Sequence, residues 1–178
     1  MTRLIGLYSH APGSGKTTVA WMCGGYKRLS FADPLRKFSA QILSSIGYDG
    51  VACLRDNKEG KIVELGVSPR QMMQTLGTEW GRSCIHPDLW VMVAEGIARK
   101  QLKSGQNVVI DDVRFPNEAE MIRRLGGELW LVERPGVVYE GSHASEGALR
   151  DIVPDAVINN EASASFGHLR ELVTGLLE

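Results

Sequence analysis

A short segment near the start of the chain combines glycines, a lysine and a threonine at a spacing suited to binding phosphate. Residues 10–17 read HAPGSGKT and match the pattern G-x-x-x-x-G-K-S/T, except that His10 stands at the first glycine. In such a loop, backbone N–H groups cradle the phosphates, the lysine reaches the β and γ phosphates and the threonine hydroxyl ligates magnesium. The sequence therefore predicts that Lys16 and Thr17 bind ATP and Mg²⁺. Whether His10 strains the backbone stays open.

Two carboxylates follow an apolar run farther along the chain. The run Val108-Val109-Ile110 is typical of a buried strand, and Asp111 and Asp112 come directly after it. A carboxylate at this place could help to hold the metal beside the phosphate loop. Because successive side chains of a strand point to opposite faces, both cannot face one ion unless the strand has ended, so the choice between them stays open. Arg114 is expected at the carboxyl edge of the sheet, where α/β folds bind ligands.

A helix is predicted over residues 70–82, with a polar and an apolar side. At about 100° per residue, the polar side carries Arg70, Gln74, Thr78 and Arg82. The apolar side, expected to pack against the protein, carries Met72, Met73, Leu76, Trp80 and Cys84. Two arginines and an amide would suit a phosphorylated acceptor. A solvated polar face explains the same pattern, and that alternative stays open.

These residues need a scaffold, and short strands alternate with helices along the chain. Strands are predicted at residues 4–7, 26–31, 106–110, 128–132 and 156–158. Helices are predicted from Lys16, over residues 33–46 before Gly47, from Ser68, and over residues 116–125 and 163–177. Residues 48–67 show no periodicity and are expected to form an irregular excursion. This alternation implies a parallel sheet covered on both faces.

Composition narrows the function classes. The 178 residues fit one domain, and 43% hydrophobic with 23% charged residues is ordinary for a globular protein. A net charge of −1 argues against a dedicated binder of nucleic-acid polymers. No apolar stretch reaches the roughly 20 residues of a membrane span. We expect no signal peptide, because the first apolar residues lead directly into the phosphate loop. Three widely spaced cysteines favour the reducing cytosol.

Four further segments resemble a known family. They are residues 31–35 (FADPL), residues 70–82, residues 112–118 (DVRFPNE) and residues 143–146 (HASE). Together with the phosphate loop, they resemble the phage-type deoxynucleoside monophosphate kinase family over nearly the whole chain. The resemblance implies an α/β P-loop kinase fold, a three-layer sandwich around a central, mostly parallel five-stranded sheet. It also implies a monophosphate-binding excursion near residues 33–104 and a lid near residues 133–150.

The activity that the resemblance implies is ATP-dependent phosphorylation of a deoxynucleoside 5′-monophosphate to the diphosphate. Transfer would be in line, with little covalent chemistry for the protein. The residues expected to bind ATP are Gly13, Ser14, Gly15, Lys16, Thr17, Thr18 and Asn159. The metal is expected at Thr17 with Asp111 or Asp112. Many family members carry an acidic residue directly after the loop lysine, whereas this chain has Thr17-Thr18.

The acceptor side also follows from the resemblance. The residues expected to bind the monophosphate are Asp33, Arg70, Gln74, Arg82 and Arg114, with Asp112 nearby. The residues expected to act in catalysis are Lys16, Asp112, Arg114 and Arg134. Among the lid residues, Arg134 is the first candidate for closing over the phosphates, ahead of Arg150 and residues 143–146. Two positions carry alternatives. Asp33 could equally be a helix N-cap, and Asn159, expected at the adenine edge, could be a turn residue.

Two other functions stay open. Another small-molecule P-loop kinase, such as a dephospho-coenzyme A kinase, has a similar phosphate loop and a similar segment at residues 155–160. A nucleotide-binding switch is the second, although residues 57–60 (NKEG) lack the final aspartate of N-K-x-D. The partners expected are small nucleotides, with no nucleic-acid polymer and no membrane. A homodimer remains open, as do the preferred base and the preferred sugar.

Overall fold

The computed structural model describes residues 2–136, 149–161 and 165–178. The described strands are β1 (Leu4–Tyr8), β2 (Lys27–Leu29), β3 (Val108–Ile110), β4 (Glu128–Glu133) and β5 (Ala156–Asn159). The described α-helices are α1 (Lys16–Met22), α2 (Asp33–Ser45), α3 (Gly50–Asp56), α4 (Pro69–Thr75), α5 (Leu89–Lys103), α6 (Pro116–Arg124) and α7 (Phe166–Leu177). A π-helix (Leu76–Ile85) continues directly from α4. None of the helices within the described ranges has the length and apolar character to cross a bilayer.

The five strands form one parallel sheet in the order β2-β3-β1-β4-β5. Strand β1 lies at its centre, where Gly6 pairs with Ile110 on one side and Leu129 on the other. Every residue of β1 is buried, as expected for a strand with sheet neighbours on both sides and helices on both faces. The predicted α/β fold class is confirmed, and all strand pairs are parallel.

By its contacts the chain divides into two compact units. Residues 1–30 and 94–178 form the first, called here the core unit, and residues 31–93 form the second, called the helical unit. The sheet and helices α1, α6 and α7 belong to the core unit. The assignment of residues 33–104 to monophosphate binding and of residues 133–150 to a lid stays a prediction.

Apolar side chains from the sheet and two helices pack together in one cluster of the core unit. The sheet contributes Ile5, Leu7, Val109, Trp130, Val132 and Ile158, and the helices with their ends contribute Val19, Ala20, Cys23, Leu169 and Val173. Arg3 holds the end of α7 in place, since its guanidinium donates to the carbonyl oxygens of Leu176 and Leu177 at 3.1 and 2.9 Å. A cation here also complements the negative end of the helix dipole. The last helix is thereby fixed to the start of the chain.

A second polar contact joins α5 to α6. Arg124 and Arg99 donate to the two carboxyl oxygens of Glu95 at 2.6 and 2.8 Å. These hydrogen bonds hold the pKa of Glu95 below its usual range, Arg124 having the larger effect. Helix α5 itself is not among the predicted elements. From the sequence of this helix we could infer only that the apolar run at its start is too short for a membrane span.

The helical unit contains a helix where an irregular excursion is predicted. Within residues 48–67, α3 begins after Asp49, whose carboxyl group accepts a hydrogen bond from the Ala52 N–H at 2.9 Å. Leu54 of this helix packs with Leu43 and Ile62 in a small core. The prediction is wrong here because a helix of seven residues is too short to show a periodic pattern.

The last helix, α7, agrees with its prediction over most of its length. It runs over Phe166–Leu177, and the N-cap is Ser165, whose side-chain oxygen accepts a hydrogen bond from the His168 N–H at 3.2 Å. The predicted start at residue 163 lies outside the described residues.

Candidate active site

The phosphate loop lies between β1 and α1, as predicted. Gly13 and Gly15 adopt φ angles of 75° and 99°, in the left-handed region that only glycine enters without strain. Ser14 between them is 2% exposed, and its hydroxyl has no hydrogen-bond partner among the described residues. A buried polar group without a partner is costly, and a phosphate oxygen of a bound nucleotide would supply one. The loop therefore fits a phosphate ligand.

His10 occupies the position of the missing first glycine without backbone strain. No non-glycine residue of the described ranges has a positive φ, which answers the question that the sequence left open. The His10 ring packs edge-to-face on Tyr8, with the ring centroids 5.9 Å apart. The Tyr8 hydroxyl donates to the carbonyl oxygen of Ile152 at 3.1 Å, and burial raises the pKa of Tyr8. Histidine is thus accommodated by packing at a position that glycine occupies in the consensus.

Lys16 is the first residue of α1, and its ammonium group donates to the hydroxyl of Ser9. The Ser9 hydroxyl in turn donates to the carbonyl oxygen of Ala11 at 2.8 Å. Ser9 thus holds the lysine across the loop. Ser9 is not among the residues predicted from the sequence, because its position before the motif carries no pattern of its own. Thr17, the predicted metal ligand, is exposed, and Thr18 is half-buried.

An asparagine after β5 contacts the loop, but it is not the predicted one. Asn159 ends β5 and is exposed. The next residue, Asn160, donates from its side-chain nitrogen to the carbonyl oxygen of Ser14 at 2.8 Å. Residues one apart along an extended chain point to opposite sides, so a choice between two adjacent asparagines cannot be made from composition. The adenine contact of Asn159 stays a prediction.

Strand β3 ends at Ile110, before the two aspartates, and the structure gives these two residues different partners. Asp111 is buried and forms an ion pair with Arg28 of β2 at 3.1 Å. Asp112 is half-buried and accepts a hydrogen bond from the buried hydroxyl of Ser30. Arg28 thus pairs with Asp111, whereas the Ser30 hydroxyl contacts Asp112, and which of the two faces a metal stays a prediction.

Arg114 follows on the same loop, and Glu118 fixes its backbone. The Glu118 carboxyl group accepts from the N–H groups of Arg114 at 2.7 Å and of Phe115 at 3.1 Å. Glu118 is 2% exposed, whereas the Arg114 side chain is exposed. The backbone at Arg114 is therefore anchored while its guanidinium is accessible to a ligand. The sequence offered one signal for Glu118, a glutamate three residues after the helix cap.

In the helical unit, Asp33 begins α2 but is not its cap. The N-cap is Ala32, so the predicted capping role of Asp33 is wrong. Instead, the Asp33 carboxylate forms an ion pair with Arg36 at 2.8 Å, one turn along the helix. The reason is that Pro34 is tolerated at the second helical position as well as at the first, which moves the start of the helix by one residue. The predicted contact of Asp33 with the acceptor stays a prediction.

The helix predicted over residues 70–82 changes its winding partway along. From Leu76 to Ile85 the chain is a π-helix with i→i+5 hydrogen bonds, which turns by less than about 100° per residue. Arg82 accordingly donates to the carbonyl oxygen of Gly77 at 3.3 Å, whereas Arg70 forms an ion pair with Glu59. Gln74 is exposed. The prediction that Arg70, Gln74 and Arg82 together bind the acceptor stays a prediction.

Close packing accompanies the π-helix. The indole nitrogen of Trp90 donates to the Gly77 carbonyl oxygen at 2.8 Å. A Cβ atom built on Gly81 would lie only 2.5 Å from that nitrogen, so the indole fills the space that a side chain would need. A ten-residue π-helix is unusual, since π-helical geometry occurs mostly as single-turn bulges, frequently at functional sites.

An open groove of about 480 Å³ lies within the helical unit. Its lining combines an apolar set with a few groups that can form hydrogen bonds, namely Phe38, Ile42, Val67, Met72, Leu76 and Trp80 with Ser39, Gln71 and Thr75. Phe38 and Trp80 stay 52% and 47% exposed. The expectation that the apolar side of residues 70–82 packs away is thus wrong for Trp80. Exposed aromatic rings beside amide and hydroxyl groups suit a flat heterocycle.

The predicted lid falls largely outside the described residues. Arg134 directly follows β4 and is exposed, and Arg150 is exposed as well. Residues 143–146 lie outside the described ranges. The arginine that closes over the phosphates therefore stays a prediction.

Relatives are found among viral kinases. Residues 39–171 match the deoxynucleotide monophosphate kinase family. A protein of Acanthamoeba polyphaga mimivirus, provisionally named a deoxynucleotide monophosphate kinase, is 33% identical over 179 residues, covering 92% of this chain and 91% of the viral protein. The deoxynucleoside-5′-monophosphate kinase of Escherichia phage T5 is 41% identical over 70 residues, which cover 39% of this chain and 27% of the phage protein.

Solved structures share the fold. The dephospho-CoA kinase from Campylobacter jejuni has a TM-score of 0.53 at 15% identity, with 99% of this chain and 96% of that chain covered. A sugar kinase from Janibacter has a TM-score of 0.51 at 16% identity, with 99% and 95% covered. Identities this low establish the P-loop kinase fold and leave the reaction to other observations. The match over residues 39–171 and the mimivirus relative decide the family: this chain belongs to the deoxynucleotide monophosphate kinases.

Proposed function

We propose that this chain transfers the γ-phosphoryl group of ATP to a deoxynucleoside 5′-monophosphate, giving ADP and the deoxynucleoside diphosphate. The observation that carries the proposal is the family match over residues 39–171. Membership of the family makes the chain a phosphotransferase. The donor and acceptor residues proposed below rest on the local geometry of each unit taken separately.

The donor site is the phosphate loop of the core unit. Gly13 and Gly15 hold a backbone that can turn successive N–H groups toward an anion, and the buried hydroxyl of Ser14 offers a further donor. Lys16 supplies a point charge for the β and γ phosphates. Its contact with Ser9 keeps the ammonium group at the loop before the nucleotide arrives. This arrangement supports ATP as the phosphoryl donor.

A magnesium ion fits the donor chemistry available at this site. The Thr17 hydroxyl and the Asp112 carboxylate are oxygen ligands of the kind that Mg²⁺ prefers, and water would complete its shell. Asp111 is the weaker candidate, because Arg28 already neutralises it. When bound, the ion would offset negative charge on the phosphates.

The acceptor base is proposed to lie in the groove of the helical unit. A nucleobase presents two apolar faces and a polar edge, which matches the exposed rings of Phe38 and Trp80 and the side chains of Gln71 and Thr75. The monophosphate itself needs cations. Arg70 can serve because its present partner, Glu59, is an exposed carboxylate, and an exposed ion pair of this kind is easily exchanged.

The other residues proposed to bind the acceptor follow from the family resemblance. They are Asp33, Gln74, Arg82 and Arg114. Arg114 can hold a phosphate in a bidentate manner, and Glu118 anchors its backbone. The reaction needs no nucleophilic side chain, since an oxygen of the acceptor phosphate attacks the γ-phosphorus. The protein therefore acts by positioning and by balancing charge. Arg134 is proposed to approach the transferred group when both nucleotides are bound.

A dephospho-coenzyme A kinase activity is not favoured. The likeness to such an enzyme is one of fold at 15% identity, whereas the family match and the viral relatives point to deoxynucleotide monophosphates. Membership of a kinase family also argues against a nucleotide-dependent switch. The proposed partners are small nucleotides, and a net charge of −1 gives no attraction to a nucleic-acid polymer.

A panel assay tests the proposal. Purified protein is given ATP and Mg²⁺ with each deoxynucleoside monophosphate, with dephospho-coenzyme A or with no acceptor, and ADP is measured. ADP that depends on a monophosphate supports the proposal, whereas ADP that depends on dephospho-coenzyme A, or needs no acceptor, contradicts it. Lys16→Ala should retain less than about a tenth of the turnover, a loss of at least ~1.4 kcal/mol in barrier terms. The exposed Lys100→Ala on α5 is the matched control and should keep full activity.

A further inference from the structure

Asn160 connects the end of the sheet to the phosphate loop through two different hydrogen bonds. Its backbone N–H donates to the carbonyl oxygen of Glu133 at 2.7 Å, extending the pairing of β4 with β5 by one residue. Its side-chain nitrogen donates to the carbonyl oxygen of Ser14 at 2.8 Å. The sheet thus fixes the backbone of Asn160, and the side chain contacts the loop. A substitution can remove the second contact and leave the first in place.

The side-chain hydrogen bond of Asn160 is made to the Ser14–Gly15 peptide group, whose orientation the loop itself does not fix. In a trans peptide, the carbonyl of Ser14 and the N–H of Gly15 point in opposite directions, so fixing one fixes the other. Gly15 has φ 99° and no Cβ atom, and nothing in its own covalent structure prevents this peptide from turning over. A flipped peptide would aim a carbonyl oxygen, instead of an N–H, at a bound phosphate.

The packing at Gly15 agrees with this interpretation. A Cβ atom built there would lie 2.4 Å from the side-chain nitrogen of Asn160, so the amide lies directly against the backbone that it restrains. Asn160 is half-buried, and it contacts the loop although it is not part of the loop's sequence motif. Its side-chain N–H group already donates to the carbonyl oxygen of Ser14.

We propose that Asn160 is a positioning residue that holds the Ser14–Gly15 peptide with the Gly15 N–H facing the phosphates of the donor nucleotide. The inference rests on the proposed function, because it assigns a role in that donor site. It predicts a selective loss: binding of the donor should weaken, while binding of the acceptor and the stability of the fold change little.

The test compares Asn160→Ala and Asn160→Leu with the wild-type chain. Leucine keeps the branched shape of asparagine without a donor group and without adding charge. Calorimetric titration measures the Kd for Mg·ADP and for the best monophosphate acceptor, and thermal unfolding measures stability. The Kd for ADP should rise about five-fold or more in both variants, the equivalent of about 1 kcal/mol for one hydrogen bond. The Kd for the monophosphate should change less than about two-fold.

Asn107→Ala is the matched control. Asn107 is another half-buried asparagine of the core unit, and its side-chain oxygen accepts from the Arg3 N–H at 2.9 Å. Its replacement should remove one hydrogen bond, as in the Asn160 variants, without changing the Kd for ADP. An unchanged Kd for ADP in both Asn160 variants would overturn the inference. An unchanged Kd for ADP in Asn160→Leu alone would also overturn it, and so would a Kd for ADP that rises equally in Asn107→Ala. Failure of the wild type to phosphorylate any monophosphate would instead contradict the proposed function, and the ADP titrations would still decide the role of Asn160.

Discussion

Removing the Glu118 side chain should destabilise the core unit strongly, although Glu118 contacts no proposed ligand. The carboxyl group is 2% exposed and accepts hydrogen bonds from the N–H groups of Arg114 and Phe115. In Glu118→Ala both donors lose this acceptor at a partly buried site, and each such loss costs about 1–3 kcal/mol. Alanine recovers only a few tenths of a kcal/mol as a better helix former. The expected decrease in the free energy of unfolding is therefore about 2–5 kcal/mol.

Urea unfolding of the full chain measures this decrease, with Glu118→Gln and Glu120→Ala beside it. Glutamine keeps the shape and one acceptor oxygen, so Glu118→Gln should lose about 1 kcal/mol. Glu120 is exposed on the same helix, and its replacement should change stability by less than about 0.5 kcal/mol. A decrease below about 1 kcal/mol for Glu118→Ala, or one equal to that of Glu120→Ala, would refute the reasoning. Glu118→Gln should also keep the affinity for the monophosphate if Arg114 stays anchored.

Three further predictions concern packing, pH and thiol reactivity. Gly81→Ala should lose about 1–3 kcal/mol of stability in urea unfolding, because its methyl group would overlap the Trp90 indole. The lowered pKa of Glu95 contributes stability that is present above its ordinary pKa of 4.5 and is lost as the pH falls below that value, so the Tm of wild type should fall more on acidification than that of Glu95→Gln. Burial raises the pKa of Cys23 to about 11, so iodoacetamide at about pH 8 should modify the exposed Cys84 and spare Cys23, as read by peptide mass spectrometry.

Each of these has a clear contrary result. Gly96→Ala is the control for the first, because a Cβ atom there meets nothing within 4 Å and alanine should stabilise α5 by roughly 0.5–1 kcal/mol. Equal effects of Gly81→Ala and Gly96→Ala would contradict the packing account. Identical acid sensitivity of wild type and Glu95→Gln would show that the arginine contacts of Glu95 do not form in solution. Rapid labelling of Cys23 in the folded chain would show that its site is open to solvent.

The sequence was most informative where one pattern determines one local structure. The phosphate loop needs left-handed backbone at Gly13 and Gly15, and few other sequences satisfy that need, so its strand–loop–helix setting could be predicted. Strands β1, β3 and β4 were predictable because a buried parallel strand is a nearly continuous apolar run. Strand β3 lies beside β1 in the parallel sheet, so Asp112 and Arg114 follow the same carboxyl edge from which the phosphate loop starts.

Other features depend on contacts between distant segments, which a single sequence does not display. The π-helix over Leu76–Ile85 coincides with the packing of Gly81 against Trp90, nine residues away, and a single sequence does not show that contact. Composition cannot choose between Asn159 and Asn160, because the register of β5 against β4 decides which of them contacts the loop. Glu118 carried a capping signal, but its burial beneath the Arg114 loop could not be seen.

The most direct test of the central claim follows the transferred phosphoryl group itself. ATP labelled with ³²P at the γ position is incubated with the protein, Mg²⁺ and a deoxynucleoside monophosphate, and the products are separated by chromatography. We expect the label to appear in the deoxynucleoside diphosphate in amounts equal to the ADP formed, and we expect Lys16→Ala to abolish both. Label found in inorganic phosphate, with none in the diphosphate, would contradict it.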